Sequence, residues 1–84
     1  MINHFMLHRD VDPFLRSLVK DTSFRYTICL EPNTSTLSIR FINNDTKFDR
    51  RISFCTVAVD FDNFASIVSD EFKRIIEIHD LEAL

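Results

Sequence analysis

The sequence predicts one α+β domain of the order αβββα, in which a three-stranded antiparallel meander carries its helices on one face. Three observations predict this fold. The chain has 84 residues, the length of a single domain. Between residues 24 and 59, apolar and polar side chains alternate with the period of two that is typical of half-buried strands. On both sides of this block, apolar residues recur at the helical spacing.

The first helix is predicted from Pro13 to Lys20, because proline favours the first helical turn. Asp12 is expected to cap it by accepting from a first-turn N–H. Residues 2–8 are apolar enough to be ordered, and two alternatives stay open for them, a short extra strand or a docked tail. His4, His8 and Asp12 would align three metal ligands on a helix. A helix that begins near Asp12 removes that geometry, and we predict no metal site.

The alternation predicts three strands, Phe24–Glu31, Thr36–Ile42 and Phe48–Val59. The chain has no glycine, so the turns at Pro32–Ser35 and Asn43–Asp45 must reach their conformations with Asn, Asp, Pro and Ser. Residues 54–59 are apolar at nearly every position. This pattern indicates either that both faces of the strand are covered there or that a bulge changes the alternation.

The last helix is predicted from Asn63 to Leu81, with an aspartate ahead of it as its cap. Glu71 falls inside the apolar face of this helix, where an unpaired carboxylate is unfavourable. Either Arg74 pairs with it three residues on, or the helix breaks near Ser69. We favour a continuous helix with a distortion near Ser69, and the break stays as the alternative.

Charge is distributed unevenly along the chain. Residues 1–59 carry eight Lys/Arg and six Asp/Glu, whereas residues 60–84 carry two and seven, so the net charge of −3 is the balance of +2 and −5. An acidic C-terminal segment favours a partner with a basic surface and disfavours nucleic acid and anionic membranes.

The motifs of common enzyme chemistry are missing from this sequence. It has no glycine-rich phosphate loop, nucleophile elbow or HExxH motif, and we predict neither catalysis nor a cofactor. Cys29 and Cys55 fall on outer strands of the meander, about 10 Å apart and too far for a disulfide. Two cysteines without a CxxC spacing, no long apolar run and no signal-peptide pattern lead us to expect a cytoplasmic protein outside the membrane.

The order helix, three strands, helix resembles that of double-stranded-RNA-binding domains. Those domains place lysines at the start of the last helix to grip phosphates, whereas this stretch carries Asp60, Asp62, Asp70 and Glu71. The layout and size also resemble small phage-encoded inhibitors, including certain anti-CRISPR proteins, which block a nucleic-acid site with an acidic surface. The resemblance rests on topology and charge sign, without a shared motif.

The leading interpretation is a small non-catalytic protein-binding module, in its narrower form a phage-type inhibitor that binds a nucleic-acid-handling protein through its acidic C-terminal helix. The expected contact residues are Asp70, Glu71, Glu77, Asp80 and Glu82. One alternative is nucleic-acid binding through the arginines expected on the open sheet face, Arg25, Arg40 and Arg51. The other alternative is a structural homo-oligomer that pairs through an edge strand or an apolar patch near Val57 and Val59.

Overall fold

The computed structural model describes residues 1–82, and the side chains of residues 1–81. Its sheet has the strand order β1-β2-β3 and consists of β1 (Phe24–Glu31), β2 (Thr36–Asn43) and β3 (Phe48–Cys55). The helical segments are α1 (His4–Met6), a π-helical turn (Leu7–Val11), α2 (Asp12–Val19) and α3 (Phe61–Glu82). Both strand pairs are antiparallel. The α+β class and the three-stranded meander between two helical regions are therefore confirmed.

The helices cover one face of the sheet and form the core with it. β1 begins and ends where predicted, and β2 extends one residue further than predicted. Along β2, every second side chain is buried, because α2 packs against β1 while α3 packs against β3. Phe14 of α2 joins the two helices, with its ring centroid 6.0 Å from that of Phe61 and 6.1 Å from that of Phe64.

The N-terminal helical region begins earlier than predicted, and the extra strand over residues 2–8 is wrong. Asn3 caps α1 by accepting a hydrogen bond from the backbone N–H of Met6 (3.0 Å). The π-helical turn then leads directly into α2. A proline inside an α-helix lacks an N–H donor and clashes with the carbonyl four residues earlier, and the wider π turn before Pro13 makes room for its ring. The docked-tail alternative holds for Ile2, which is 2% exposed.

The predicted cap at Asp12 is also wrong, because Asp12 lies inside the helical region. Its carboxylate accepts a hydrogen bond from the hydroxyl of Tyr26 on β1 and pairs with Arg16 at 2.5 Å. The Tyr26 hydroxyl also lies 3.2 Å from the Asp12 carbonyl oxygen. Burial, followed by the hydrogen bond to Asp12, raises the pKa of Tyr26 above its ordinary value. This contact fastens α2 to β1.

The raised pKa of Tyr26 gives a direct spectroscopic prediction. Tyr26 is the only tyrosine and the chain has no tryptophan, so tyrosinate absorbance reports on this one group. We expect the folded protein to titrate at higher pH than the urea-unfolded chain, and D12N to titrate between them. The contact stabilises the folded state while the Tyr26 phenol is neutral. This contribution is present below the ordinary tyrosine pKa of about 10 and is lost as the pH rises through the pKa of Tyr26 in the folded state. Coincident titration of all three samples would contradict the contact.

The third strand ends at Cys55, four residues before the predicted end at Val59. The partner of Cys55 is Thr36, the first residue of β2, so the strand has nothing further to pair with. Thr56 instead donates its N–H to the carbonyl of Ser35 (2.8 Å) and accepts from the N–H of Ile2 (3.0 Å). Residues 56–58 form a turn, which Val59 follows, and the expected bulge or two-sided cover is wrong.

Among residues 1–82, three residues adopt the left-handed conformation, Asp21 (φ 63°), Ser35 (φ 51°) and Lys47 (φ 60°). Ser35 lies in the first predicted turn. In the second turn, however, Lys47 rather than Asn43, Asn44 or Asp45 adopts positive φ. Asn43 acts through its side chain, which accepts hydrogen bonds from the backbone N–H groups of Asp45 and Thr46.

The last helix is continuous from Phe61 to Glu82, and the break near Ser69 is wrong. Asp60 caps it by accepting from the backbone N–H of Asn63 (2.8 Å). The Arg74 guanidinium reaches the Glu71 carboxylate at 2.7 Å, which confirms the predicted pairing and removes the reason for a break. Within residues 1–82, no helix has the length and apolar composition that crossing a bilayer requires.

Candidate functional site

Three of the five acidic residues expected to bind a partner lie on the solvent side of α3. Asp70, Glu77 and Asp80 are exposed. Because a helix turns once in about 3.6 residues, Asp70 and Glu77 return to the same side two turns apart, about 10 Å along the axis. Asp80 follows one turn later, beside Glu77. We call Asp70, Glu77 and Asp80 the acidic face.

The carboxylates of the acidic face keep their charge available. Among residues 1–81, no lysine or arginine makes an ion pair with any of the three. Asp80 lies 3.6 Å from Nδ1 of His79, which is a charge pair only when the imidazole is protonated. Lys73 is exposed between Asp70 and Glu77 in sequence and offsets part of their charge. The face is therefore acidic on balance and open to a cation from outside the chain.

Two exposed apolar side chains accompany these carboxylates. Ile67 is 44% exposed and Leu81 is 71% exposed, and both stand on the solvent side of α3. They lie fourteen residues apart on the helix, one before Asp70 and one after Asp80. The helical spacing assigns Ile67 to the apolar face of the helix, and Leu81 is its predicted last residue, so the sequence predicts neither as an exposed contact.

Glu71 and Glu82 do not join the acidic face. Glu71 is half-buried and paired with Arg74, and it lines a shallow pocket between α3 and β3 with Arg50 and Arg51. Because arginines line this pocket, the negative charge of Glu71 is already compensated there. Glu82 is the last helical residue, and its side chain lies outside the part of the chain that the structure describes.

The arginines of the alternative site share the open face of the sheet, but two of the three have partners there. Arg40 binds Asp49, with its Nε 3.1 Å from each carboxylate oxygen and a further contact through Nη2. Arg25 donates from Nε to the side-chain oxygen of Asn44 at 3.0 Å. Arg51 stands opposite Arg40 in the register and makes no ion pair among residues 1–81.

The pairing of Arg40 with Asp49 changes the charge of the sheet face. The hydrogen bond and charge of Asp49 raise the pKa of Arg40, and Arg40 in turn lowers the pKa of Asp49. Asp49 is therefore ionised wherever Arg40 is charged near neutral pH, and the two cancel. In the sequence, Asp49 precedes Arg51 by two residues on the same face of β3. Its pairing with Arg40 could be found only from the register of β2 with β3.

Cys29 and Cys55 are free and exposed, and they lie on the two outer strands of the sheet, as predicted. Cys29 faces Ser38 on one side of β2, and Cys55 faces Thr36 on the other. The Cys29 thiol lies 3.8 Å from Oε1 of Glu31.

His4 and His8 are on successive helical turns, contrary to the expectation that no helix would include them. Their ring centroids are 5.6 Å apart, edge to face. Asp12 lines the same groove, but its carboxylate is already held by Tyr26 and Arg16. Within residues 1–82, no group of three His, Cys, Asp or Glu side chains has the geometry to hold a metal ion.

His79 has a structural role that the sequence analysis missed. Its ring packs against Phe24 and Phe48, at centroid distances of 5.1 and 5.6 Å. Its Nε2 makes a hydrogen bond of 2.9 Å with the hydroxyl of Thr46 in the second turn. The spacing Phe72, Ile75, His79 along the buried side of α3 is the signal that could have found it. This contact fixes the C-terminal part of α3, which carries most of the acidic face, to the sheet.

The apolar patch expected near Val57 and Val59 is only partly exposed. Val57 is 62% exposed, but Val59 is 9% exposed and belongs to the core. A single exposed valine in a turn is ordinary for a protein surface. The edge strands of the sheet remain as the other expected route to self-association.

Comparison with known proteins leaves the geometry as the only guide to function. No protein-family model matches the sequence, and no curated protein or solved structure matches the chain.

Proposed function

We propose that this chain is a small, non-catalytic protein-binding module whose contact surface is the acidic face of α3. The observation that carries the proposal is a contrast in charge compensation. Asp70, Glu77 and Asp80 have no arginine or lysine partner within residues 1–81, whereas Arg40 on the opposite side of the molecule is paired with Asp49. Uncompensated charge is what an oppositely charged partner can use.

The accompanying apolar side chains suggest how the helix is recognised. A helix that lies in a groove contributes apolar anchors along its exposed face, and charged residues beside them set register and orientation. Ile67 and Leu81 are exposed at 44% and 71%, and they would supply the buried contacts. The acidic face would then meet lysine or arginine side chains at the rim of the groove.

The narrower form of the proposal is that the partner is a nucleic-acid-handling protein and that binding inhibits it. A protein that binds nucleic acid neutralises phosphates with lysine and arginine side chains, so it presents a basic surface. A rigid row of carboxylates on α3 suits such a surface, and the fastening of His79 to Thr46 supports its rigidity. A partner can be isolated by affinity capture on the unmodified chain. Competition between the chain and a nucleic acid for this captured partner tests the narrower form separately.

Charge reversal on the acidic face is the experiment that tests the proposal. In the D70K/E77K variant, attraction to a basic surface becomes repulsion. We expect its dissociation constant for the partner captured by the unmodified chain to rise roughly tenfold or more near physiological salt. The measurement is calorimetric titration of the purified partner with each variant.

A matched control separates local charge from total charge. D21K/D45K changes the net charge by the same amount at two exposed turn residues away from α3. We expect it to bind like the unmodified chain, and both variants to keep its circular dichroism. Equal affinity for D70K/E77K and the unmodified chain would place the contact elsewhere.

A further inference from the structure

The first strand of the sheet has an outer edge that pairs with no other strand among residues 1–82. β1 pairs only with β2. Among residues 1–82, no backbone group outside the sheet bonds to the backbone of residues 24–31. Every second residue of an edge strand turns its N–H and C=O away from the sheet, so the eight residues of β1 form a template for another strand.

Apolar side chains at this edge are incompletely covered. Tyr26, Ile28 and Leu30 point toward the core, yet each is only half-buried. Ile28 and Leu30 line an open groove with Leu7 of the N-terminal helical region. A strand added to β1 would bring its own inner-face side chains beside this groove and remove apolar surface from water.

The charges of β1 are arranged for pairing with a second copy of the same strand. Arg25 and Glu31 are its only charged residues, and each is three positions from Ile28. In an antiparallel pair centred on Ile28, Arg25 of one copy faces Glu31 of the other, and the symmetry repeats this contact. No other register centred within β1 pairs the two charges.

The same register satisfies the alternation of the side chains. It sets Tyr26 against Leu30 of the second copy on the inner face, and Thr27 against Cys29 on the outer face. A shift by one residue would place inner-face side chains against outer-face ones. The charge pattern and the side-chain alternation of β1 therefore favour the same register, which is centred on Ile28.

The other edge of the sheet is protected against self-pairing. β3 carries Arg50 and Arg51 next to each other near its centre. An antiparallel self-pairing centred on either residue places arginine against arginine, which is the kind of charge that natural edge strands use to prevent association. In these two central registers β3 is therefore not self-complementary, whereas β1 centred on Ile28 is.

We propose that two copies of this chain associate through β1 in antiparallel register centred on Ile28, forming a continuous six-stranded sheet. The interface lies at the opposite edge of the sheet from β3, against which α3 packs, and it leaves the acidic face exposed on both copies. The dimer would thus present two acidic faces to a partner. The inference does not depend on the proposed function, because it concerns the protein alone.

A charge swap tests the register. Sedimentation equilibrium over a wide range of concentration should show a monomer–dimer equilibrium for the unmodified chain. R25E and E31R each create two like-charge contacts and should raise the dimer dissociation constant roughly tenfold. R25E/E31R restores opposite charges in exchanged positions and should return the constant to within about threefold of the original. The double variant still lacks the bond from Arg25 to Asn44, so recovery cannot come from that contact.

Disulfide trapping provides a second test. In a C55S background, T27C introduces a thiol opposite Cys29 of the second copy, and mild oxidation should yield a covalent dimer. C55S alone leaves Cys29 opposite Thr27 and should stay monomeric on a denaturing gel. S53C in the same background places a thiol on the outer face of β3 as the matched control and should not cross-link.

Two results would overturn the inference. One is a monomer at the highest soluble concentration of the unmodified chain. The other is a dimer that R25E/E31R weakens as much as the single variants do, or that T27C and S53C trap equally well.

Discussion

Replacing Phe64 with alanine is expected to lower the free energy of unfolding by about 3–5 kcal/mol. Phe64 is fully buried at the point where both helices and the sheet meet. Its ring centroid lies 5.1 Å from that of Phe54 on β3 and 6.1 Å from that of Phe14 on α2. Removing the ring leaves a cavity that three elements would have to close together, which they can do only in part.

The size of the domain makes this loss severe. A chain of this length is stabilised by only about 4–13 kcal/mol in total, so F64A should lose a large share of its stability. Urea unfolding followed by circular dichroism measures the change. I67A, three residues further on the same helix and 44% exposed, serves as the control and should lose less than about 1 kcal/mol. Similar losses for both variants would contradict the packing described for α3.

Replacing Asn43 with alanine is expected to lower the free energy of unfolding by about 2–3 kcal/mol. Asn43 is 1% exposed. Its amide donates to the hydroxyl of Ser23 at 2.7 Å, and its carbonyl oxygen accepts from the N–H groups of Asp45 and Thr46. One side chain thus ties the entry to β1 to the turn between β2 and β3, without help from glycine.

The neighbouring residue provides the matched comparison for this prediction. Asn44 is exposed and accepts one hydrogen bond, from Arg25. N44A should therefore cost about 0.5 kcal/mol or less, because water can replace that bond. Thermal and urea unfolding of the two variants distinguish them. Equal stability of N43A and N44A would show that the hydrogen bonds of the Asn43 side chain do not stabilise the turn.

Local patterns in this sequence were sufficient for the elements whose side chains alternate regularly. β1 has the bounds that its alternation predicts, since each apolar residue of the strand meets the core and each polar residue meets water. The exposed position of Asp70 and Glu77 likewise follows from the helical period alone. These features depend on neighbours in sequence, which is why they could be predicted.

Features that depend on contacts between distant residues could not be predicted in this way. The end of β3 at Cys55 is set by where β2 begins, at Thr36. The helical region continues ahead of Pro13 through a π turn, which no periodicity in the sequence predicts. The cancellation of Arg40 by Asp49 required the strand register. That last contact is the reason we favour the acidic face over the arginines in the proposed function, so part of the proposal rests on tertiary structure.

The central claim is that the acidic face of α3, and not the arginines of the sheet, contacts the partner. The most direct test measures the affinity of three chains for the captured partner side by side: the unmodified chain, D70K/E77K and R40E/R51E. The proposal predicts that D70K/E77K weakens binding roughly tenfold or more and that R40E/R51E leaves it within about threefold. Binding that survives in D70K/E77K and is lost in R40E/R51E would contradict it.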